Sequence, residues 1–273
     1  MIYVILPVHN RKKITESFIQ NLVEQTYKDF KLILVDDGSQ DGTSEMVLSY
    51  ISSSVVISGK GDWWWGGSLQ QAYKWIKINS VNTNDDILII NDDVEISKKF
   101  LEIGIESLKK NDKSLFLAKA ISVQDKSKIT CGIHVDWKKM TFEKVKKNED
   151  INCFSTRGLF LSVESFLSIG GFHPFLLPHY LSDYEYTIRA YNKGYKLLVN
   201  NNLFLMFNEN ISGYHAINEK SFFTYMKKYF SKKNPGNPIY QISFVFLVVP
   251  WRWKIKHFVR ISLVCVKSIL NNI

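Results

Sequence analysis

Between residues 2 and 90 the chain alternates short β-branched runs with segments of helical period, and that alternation constrains the fold more than any other feature. Ile2 to Leu6 and Lys31 to Val35 are apolar runs, each halted by turn or acidic residues. Between them Ile14, Phe18, Ile19, Leu22 and Val23 recur along one face of a helix over Lys12 to Thr26. Ser44 onward reads as a second helix and Val55 to Ser58 as a third strand. Ser68 to Ile78 reads as a third helix and Ile87 to Ile90 as a fourth strand. Such a succession predicts an α/β fold, a Rossmann-like and mostly parallel central sheet with helices on both faces. Ligands of these sheets bind beyond the carboxyl ends of the strands. Asp36-Asp37 and Asn91-Asp92-Asp93 both stand at such ends, so their carboxylates are expected to face one crevice.

From Leu115 onward the pattern loosens into shorter strands, with a charged surface hairpin or mobile loop over Lys138 to Asp150. Phe160 to Phe166 reads as an apolar strand, Gly170-Gly171 as a turn, and Asp183 to Lys193 as a helix closed by Gly194. The 273 residues suit one large domain. Cys131, Cys153 and Cys265 show no CxxC spacing, which argues against a disulfide framework or a cysteine-ligated zinc site. The first apolar run is followed, not preceded, by Arg11, Lys12 and Lys13, which are the wrong flanks for a secretory signal; a cytoplasmic location is expected.

A formal charge of +9 points to a polyanionic partner without choosing one. Ile239 to Pro250 is too short to span a bilayer, which needs roughly 20 apolar residues. After it come Trp251, Trp253 and Phe258 mixed with Arg252, Lys254, Lys256, His257 and Arg260, a helical tail suited to the headgroup layer of an anionic membrane. A packed C-terminal helix with a solvated basic face, or a homodimer contact, is the other reading. Nucleic acid is disfavoured because the strand ends are acidic. A dinucleotide-dependent oxidoreductase needs G-x-G-x-x-G after the first strand, where the chain has PVHNRKK.

Hard divalent cations prefer oxygen ligands, and Mg²⁺ or Mn²⁺ held by one or two carboxylates completes its shell with phosphate and water. Asp92 and Asp93 suit that role. The segment Gly61-Asp62-Trp63-Trp64-Trp65-Gly66-Gly67-Ser68 cannot bury three tryptophans on one strand face. It reads as a loop entering the helix at Ser68, with aromatic faces for sugar C–H surfaces and helix amides for a phosphate. Asp62 and Trp65 are its candidate site residues.

Pro7-Val8-His9-Asn10, Val35-Asp36-Asp37-Gly38-Ser39 with Asp41-Gly42-Thr43, and Asn91-Asp92-Asp93 together resemble the family 2 glycosyltransferases of GT-A fold. Arg157-Gly158, Gly170-Gly171-Phe172 and Ser182-Asp183-Tyr184-Glu185 with Arg189 and Gly194 are similar to that family's acceptor region, so the resemblance covers about residues 1–215. A rhamnosyltransferase-like subgroup is suggested by the tryptophan segment.

The resemblance implies donor binding by Pro7, Val8, His9, Asn10, Asp36, Asp37, Asp62, Trp65 and Asp92, with Asp36 or Asp37 on the base or ribose. It implies Asp93 as metal ligand, with His215 as a second, and Mn²⁺ or Mg²⁺ as cofactor. Asp183 is the implied catalytic base, and Arg157, Gly158, His179, Glu185 and Arg189 would shape the acceptor site. Two departures stand out: Asn91 opens the metal motif where the family has Asp, and Ser182 precedes Asp183 where it has Glu.

The implied division is a nucleotide-sugar half (1–95), an acceptor half (96–215) and a basic, aromatic membrane-associating segment (216–273). The implied activity is inverting transfer from a UDP-sugar or dTDP-rhamnose to a glycan hydroxyl, lipid-linked, in bacterial O-antigen or capsule assembly. The protein would sit peripherally on the inner face of the plasma membrane. A catalytically silent binding protein is the alternative. A helix N-terminus at Asp183 is expected to lower its pKa.

Overall fold

The computed structural model describes residues 1–79, 81–126, 129–130, 132–145, 147–208 and 221–271. The first half follows the expected alternation: β1 (Ile2–Val8), α1 (Lys12–Val23), β2 (Phe30–Asp36), α2 (Thr43–Tyr50), β3 (Val55–Ser58), α3 (Trp64–Ile78) and β4 (Asp86–Ile89). After it come β5 (Val94–Ile96), α4 (Phe100–Lys109), β6 (Ser114–Ser122), β7 (Ile129–Thr130), β8 (Ile133–Asp136) and β9 (Thr141–Lys144). A short 3-10 turn at Asn148–Asp150 leads to β10 (Leu159–Ser162), α5 (Val163–Ile169), α6 (Ser182–Asn192) and β11 (Lys196–Phe207). Three helices end the chain: α7 (Phe222–Tyr229), α8 (Pro238–Val248) and α9 (Trp251–Leu270).

The main sheet runs β3-β2-β1-β4-β10-β6-β11-β5, with β7 on β6. β1 pairs in parallel with β2 and β4, and β2 with β3. β10 is antiparallel to both β4 and β6, while β6 and β11 are parallel, so the sheet is mostly parallel with reversed strands inserted.

β1 shows why both faces are covered. Ile2, Val4, Leu6 and Val8 enter one core with Phe18, Leu22, Val47 and Phe100 from α1, α2 and α4. Tyr3 and Ile5 enter the other with Leu69, Phe166 and Tyr186 from α3, α5 and α6. Alternate side chains of a strand take opposite faces, so an unbroken apolar strand needs two helical layers.

Two boundaries differ from the sequence reading. The run Phe160 to Phe166 is not one strand: Ser162 accepts from the Ser165 amide at 3.1 Å and caps α5 there. α3 starts at Trp64, four residues before the expected Ser68. The charged stretch after Ile133 forms the β8–β9 hairpin. α8 packs on it and on α6 through Phe244 and Val248 against Ile133, Val135, Leu177 and Ile188. α9 is tied to the hairpin turn by Lys256, Arg260 and His257, bonded to the carbonyls of Lys138, Lys139 and Trp137. Among the described residues no helix is long and apolar enough to cross a membrane.

Candidate active site

β1 and β2 end in register, Pro7 beside Val35 and Val8 beside Asp36, so the residues after them meet. His9 Nδ1 lies 2.6 Å from the Asp37 carbonyl, which can only accept; Nδ1 therefore carries the proton, and Nε2 accepts from Asn10 Nδ2 at 3.1 Å. Asn10, in the left-handed region at φ +50°, takes the Gln40 amide on Oδ1 at 2.8 Å and gives its own amide to Ser39 Oγ at 2.9 Å. Pro7 to Asn10 and the Asp37–Gln40 turn thus form one rigid lip.

Both carboxylates of that lip serve the chain itself. Buried Asp36 accepts from the Ser39 amide at 2.8 Å and from the Ser44 hydroxyl. Asp37 Oδ1 accepts from the Gly61 amide at 2.9 Å, and Oδ2 from the Trp63 and Trp64 amides at 2.9 and 3.0 Å. The N-terminus of α3, expected to be open to a phosphate, is closed by Asp37. Asp62 is exposed beside it.

The second carboxylate pair is buried, Asp92 at 3% and Asp93 at 7% exposure. Asp92 accepts from Thr15 Oγ1 at 2.9 Å and pairs with Arg11 Nη1 at 3.0 Å. Its pKa is nevertheless raised, because desolvation outweighs the Arg11 charge. Arg11 Nη2 stands 3.6 Å and Arg157 Nη2 4.0 Å from Asp93 Oδ2. Asp93 Oδ1 is buried without a hydrogen-bond partner. That orphaned oxygen fits a hard divalent cation whose other ligands are phosphate and water. Among the described residues no cluster of three or more metal-ligating side chains occurs. His215, the second ligand expected from the sequence, lies outside the described residues.

Next to this pair opens a cavity of about 490 Å³ lined by Trp65, Asn91, Thr156, Arg157, His179, Asp183, Tyr184 and Pro235, among others. Asp183, in the first turn of α6, accepts from the Tyr184 amide at 2.9 Å. Its pKa is raised to about 6, opposite to the expectation from its helix position: desolvation exceeds the amide bonds and the Arg157 charge that oppose it. Trp65 is fixed by Nε1 on Thr156 Oγ1 at 3.1 Å. His179 has its pKa lowered, by burial first and by Lys233 second. Arg157, which also stacks 5.0 Å over the Phe207 ring, lines the cavity while facing Asp93, and so joins the two carboxylate centres.

Three expected acceptor residues do not line this cavity. Glu185 and Arg189 pair at 2.7 and 3.0 Å behind it. Arg189 spends its remaining bonds on the Ile169 and Gly171 carbonyls at 2.6 and 2.7 Å, locking the Gly170-Gly171 turn to α6. Gly158, at φ +80°, is there for packing, because a Cβ would meet Leu205 Cδ2 at 2.7 Å. Sequence reasoning passed over Arg11, Thr156, Tyr184 and Pro235. Arg11 directly follows the strand-end motif, Thr156 directly precedes Arg157-Gly158, and Tyr184 stands within the Ser182–Glu185 motif; Pro235 carries no local signal.

Against known proteins, the model of glycosyl transferase family 2 matches residues 3–166. The chain belongs to that family. It is 26% identical over 159 residues to an Escherichia coli UDP-Glc:alpha-D-GlcNAc-diphosphoundecaprenol beta-1,3-glucosyltransferase, WfgD, covering 57% of this chain and 58% of the relative. It is 25% identical over 112 residues to the glycosyltransferase GlyG of Streptococcus pneumoniae, covering 41% of this chain and 36% of that one. The matched stretches thus span less than two thirds of these curated relatives. Among solved structures, S. aureus TarS (residues 1–349) in complex with UDP-GlcNAc superposes with a TM-score of 0.61 at 16% identity, over 99% of this chain and 89% of that one. The mannosyltransferase PcManGT from Pyrobaculum calidifontis, in complex with GDP-Man and Mn²⁺, gives 0.55 at 13%, over 95% and 64%. These likenesses show the GT-A fold.

Proposed function

We propose that this family 2 glycosyltransferase transfers a sugar, with inversion, from a nucleotide diphosphate to a hydroxyl of a lipid-linked glycan, in bacterial surface-polysaccharide assembly of the O-antigen or capsule kind. The observation that carries the reading is Asp183: a carboxylate with pKa about 6, lining an open cavity that Arg157 connects to the Asp93 carboxylate. A group titrating near neutrality is suited to take a proton from an acceptor hydroxyl as that oxygen attacks the anomeric carbon. Residues 1–95 form the donor half, with Pro7, Val8, His9, Asn10, Asp36 and Asp37 shaping the nucleotide lip and Asp92 near the sugar. Residues 96–215 supply the acceptor half, with Asp183, Arg157 and His179 at its cavity and Gly158, Glu185 and Arg189 holding its frame.

Asp93, through the orphaned Oδ1, would hold Mn²⁺ or Mg²⁺, which when bound neutralises the departing diphosphate. Arg11 orients the carboxylate pair from the other side. UDP is the default nucleotide, since one relative is named for UDP-Glc and one structural neighbour holds UDP-GlcNAc; dTDP-rhamnose is the rival.

The acceptor lipid is proposed from WfgD's named substrate and from the C-terminal segment. Residues 221–271 hold nine Lys and Arg and no Asp or Glu, leaving 26 basic against 26 acidic residues in the rest: the whole +9 lies in this segment. On α9, Trp251, Ile255, Val259, Leu263, Val266 and Leu270 share one outward face, with Trp251 85% and Ile255 78% exposed. An apolar stripe flanked by cations suits an in-plane, peripheral position on an anionic, cytoplasmic leaflet.

The test is calorimetric binding of UDP, dTDP, GDP and CDP with and without Mn²⁺, on the wild type and Asp93→Ala. One diphosphate is expected to bind with metal only and to be lost in the variant. Absence of binding under every condition refutes the reading.

A further inference from the structure

Trp64 opens α3 in the left-handed region, at φ +59°, a conformation that a bulky L-residue holds only under constraint. The constraint is visible on both sides. Asp37 takes the Trp63 and Trp64 amides, and two residues on, the Gly66 amide donates to the Pro178 carbonyl at 2.8 Å. Trp63 and Trp65 pack towards the core. The Trp64 indole instead meets the His179 ring at 5.5 Å and lies under the Lys233 ammonium, 5.9 Å from its centroid. Lys233 comes from the loop between α7 and α8, and Pro235 from the same loop walls the Asp183 cavity. His179 Nδ1 is buried with no partner.

The transfer step described above uses neither the strained indole, the unmatched imidazole nitrogen nor the ammonium. Asp183 is the lone carboxylate among the residues lining the cavity, whereas Arg157 lines it and Lys233 stands over Trp64 beside lining His179. The Arg157 charge is met by Asp93, so Lys233 is the cation left to meet an anion in the ligand, and an ammonium serves a phosphate as a compact point charge.

We propose that Lys233, held over the Trp64 indole, binds the phosphate of an acceptor whose sugar is linked to phosphate or diphosphate. This rests on the reading of the cavity as the acceptor site. Trp64 is a positioning residue here, acting through its cation–π contact.

Geranyl diphosphate and geraniol are titrated by calorimetry into the full chain saturated with UDP and Mn²⁺, so that the donor's phosphate site is filled. Wild type is expected to bind the diphosphate and not the alcohol. Lys233→Gln is expected to weaken that binding about tenfold or more. Lys233→Arg keeps most of it, Trp64→Leu weakens it, and Lys267→Gln near the end of α9 binds as wild type does. Undiminished binding by Lys233→Gln, or an equal loss in Lys267→Gln, overturns the proposal. A second arm uses phosphatidylglycerol vesicles: if Lys233→Gln loses vesicles but retains geranyl diphosphate, Lys233 serves headgroups and the proposal is likewise overturned. Failure of UDP to bind any form counts against the nucleotide-sugar reading alone, and the geranyl diphosphate titration is then read on the free protein.

Discussion

Replacing Asp183 by Asn should make the protein more stable at neutral pH while removing its activity. The fold raises the Asp183 pKa from 3.8 to about 6, so it favours the neutral acid over the carboxylate. A shift of roughly two units at about 1.36 kcal/mol each amounts to roughly 3 kcal/mol of strain against the ionised form. The sign follows from linkage: above pH ~6 the carboxylate is ionised in both states and the folded state bears the full cost. As pH falls through about 6 the native group takes up its proton before the unfolded one does, and the cost fades until it vanishes below ~4. Asparagine keeps an oxygen for the Tyr184 amide and carries no charge. Thermal denaturation at pH 7.5 should therefore show Asp183→Asn melting several degrees above wild type, at roughly 2–4 °C per kcal/mol for a chain of this size. The two should converge near pH 4. Wild-type kcat/KM should fall on the acid side with an apparent pKa near 6, and the variant should show no transfer. A variant no more stable at pH 7.5, or one that still transfers sugar, would refute the assignment of a desolvated base at this position.

Asp37→Ala leaves the Gly61, Trp63 and Trp64 amides without their acceptor and should cost about 2–4 kcal/mol, read by urea denaturation, with UDP affinity falling as the lip loosens. Gly66→Ala sets a Cβ 2.5 Å from the Leu177 carbonyl and should push the 173–181 loop off α3. Acceptor KM should then rise with little change in UDP affinity, and an unchanged KM would show that this docking does not shape the cavity. Glutamate at both Trp251 and Ile255 removes two exposed apolar anchors, each worth about 1.5–3 kcal/mol on burial. Flotation with phosphatidylglycerol vesicles should fall by more than about tenfold, UDP binding being retained.

The parts legible in the sequence are those in which local pattern and tertiary role coincide. β1 reads directly because a strand buried on both faces is apolar without interruption, and β2 to β4 because short β-branched runs are bounded by turn residues. α3 was misplaced at its start because Gly66 and Gly67 are poor helix formers, and what overrides that propensity is non-local: Asp37, 26 and 27 residues before Trp63 and Trp64, holds their amides. Ser162 was a cap hidden inside an apolar run, with Ser165 three residues on as its only mark. The pKa of Asp183 went the other way because its sequence position announces the helix dipole but not the desolvation. Arg189 read as a site residue because it shares the motif with Asp183. Six residues on a helix turn through roughly 600°, which leaves Asp183 and Arg189 about 120° apart and pointing to different surroundings. One faces the cavity and the other holds the Gly171 carbonyl.

Asn91 marks the chain's departure from its family's acidic metal motif, and the structure supplies a reason why a neutral residue suits it. The centre already balances two buried carboxylates, Asp92 and Asp93, against two guanidiniums, Arg11 and Arg157. Asn91 does not complete that set; it lines the cavity that also holds Asp183. A third carboxylate at 91 would face Asp183 across low-dielectric space and disfavour its ionised form, adding to a desolvation that has already brought its pKa to about 6. It would also compete with Asp93 for Arg157, whose positive charge is the lowering influence on Asp183 that comes from a side chain. The neutral amide leaves Asp183 as the one carboxylate among the described residues lining the cavity, at the position proposed to supply the base.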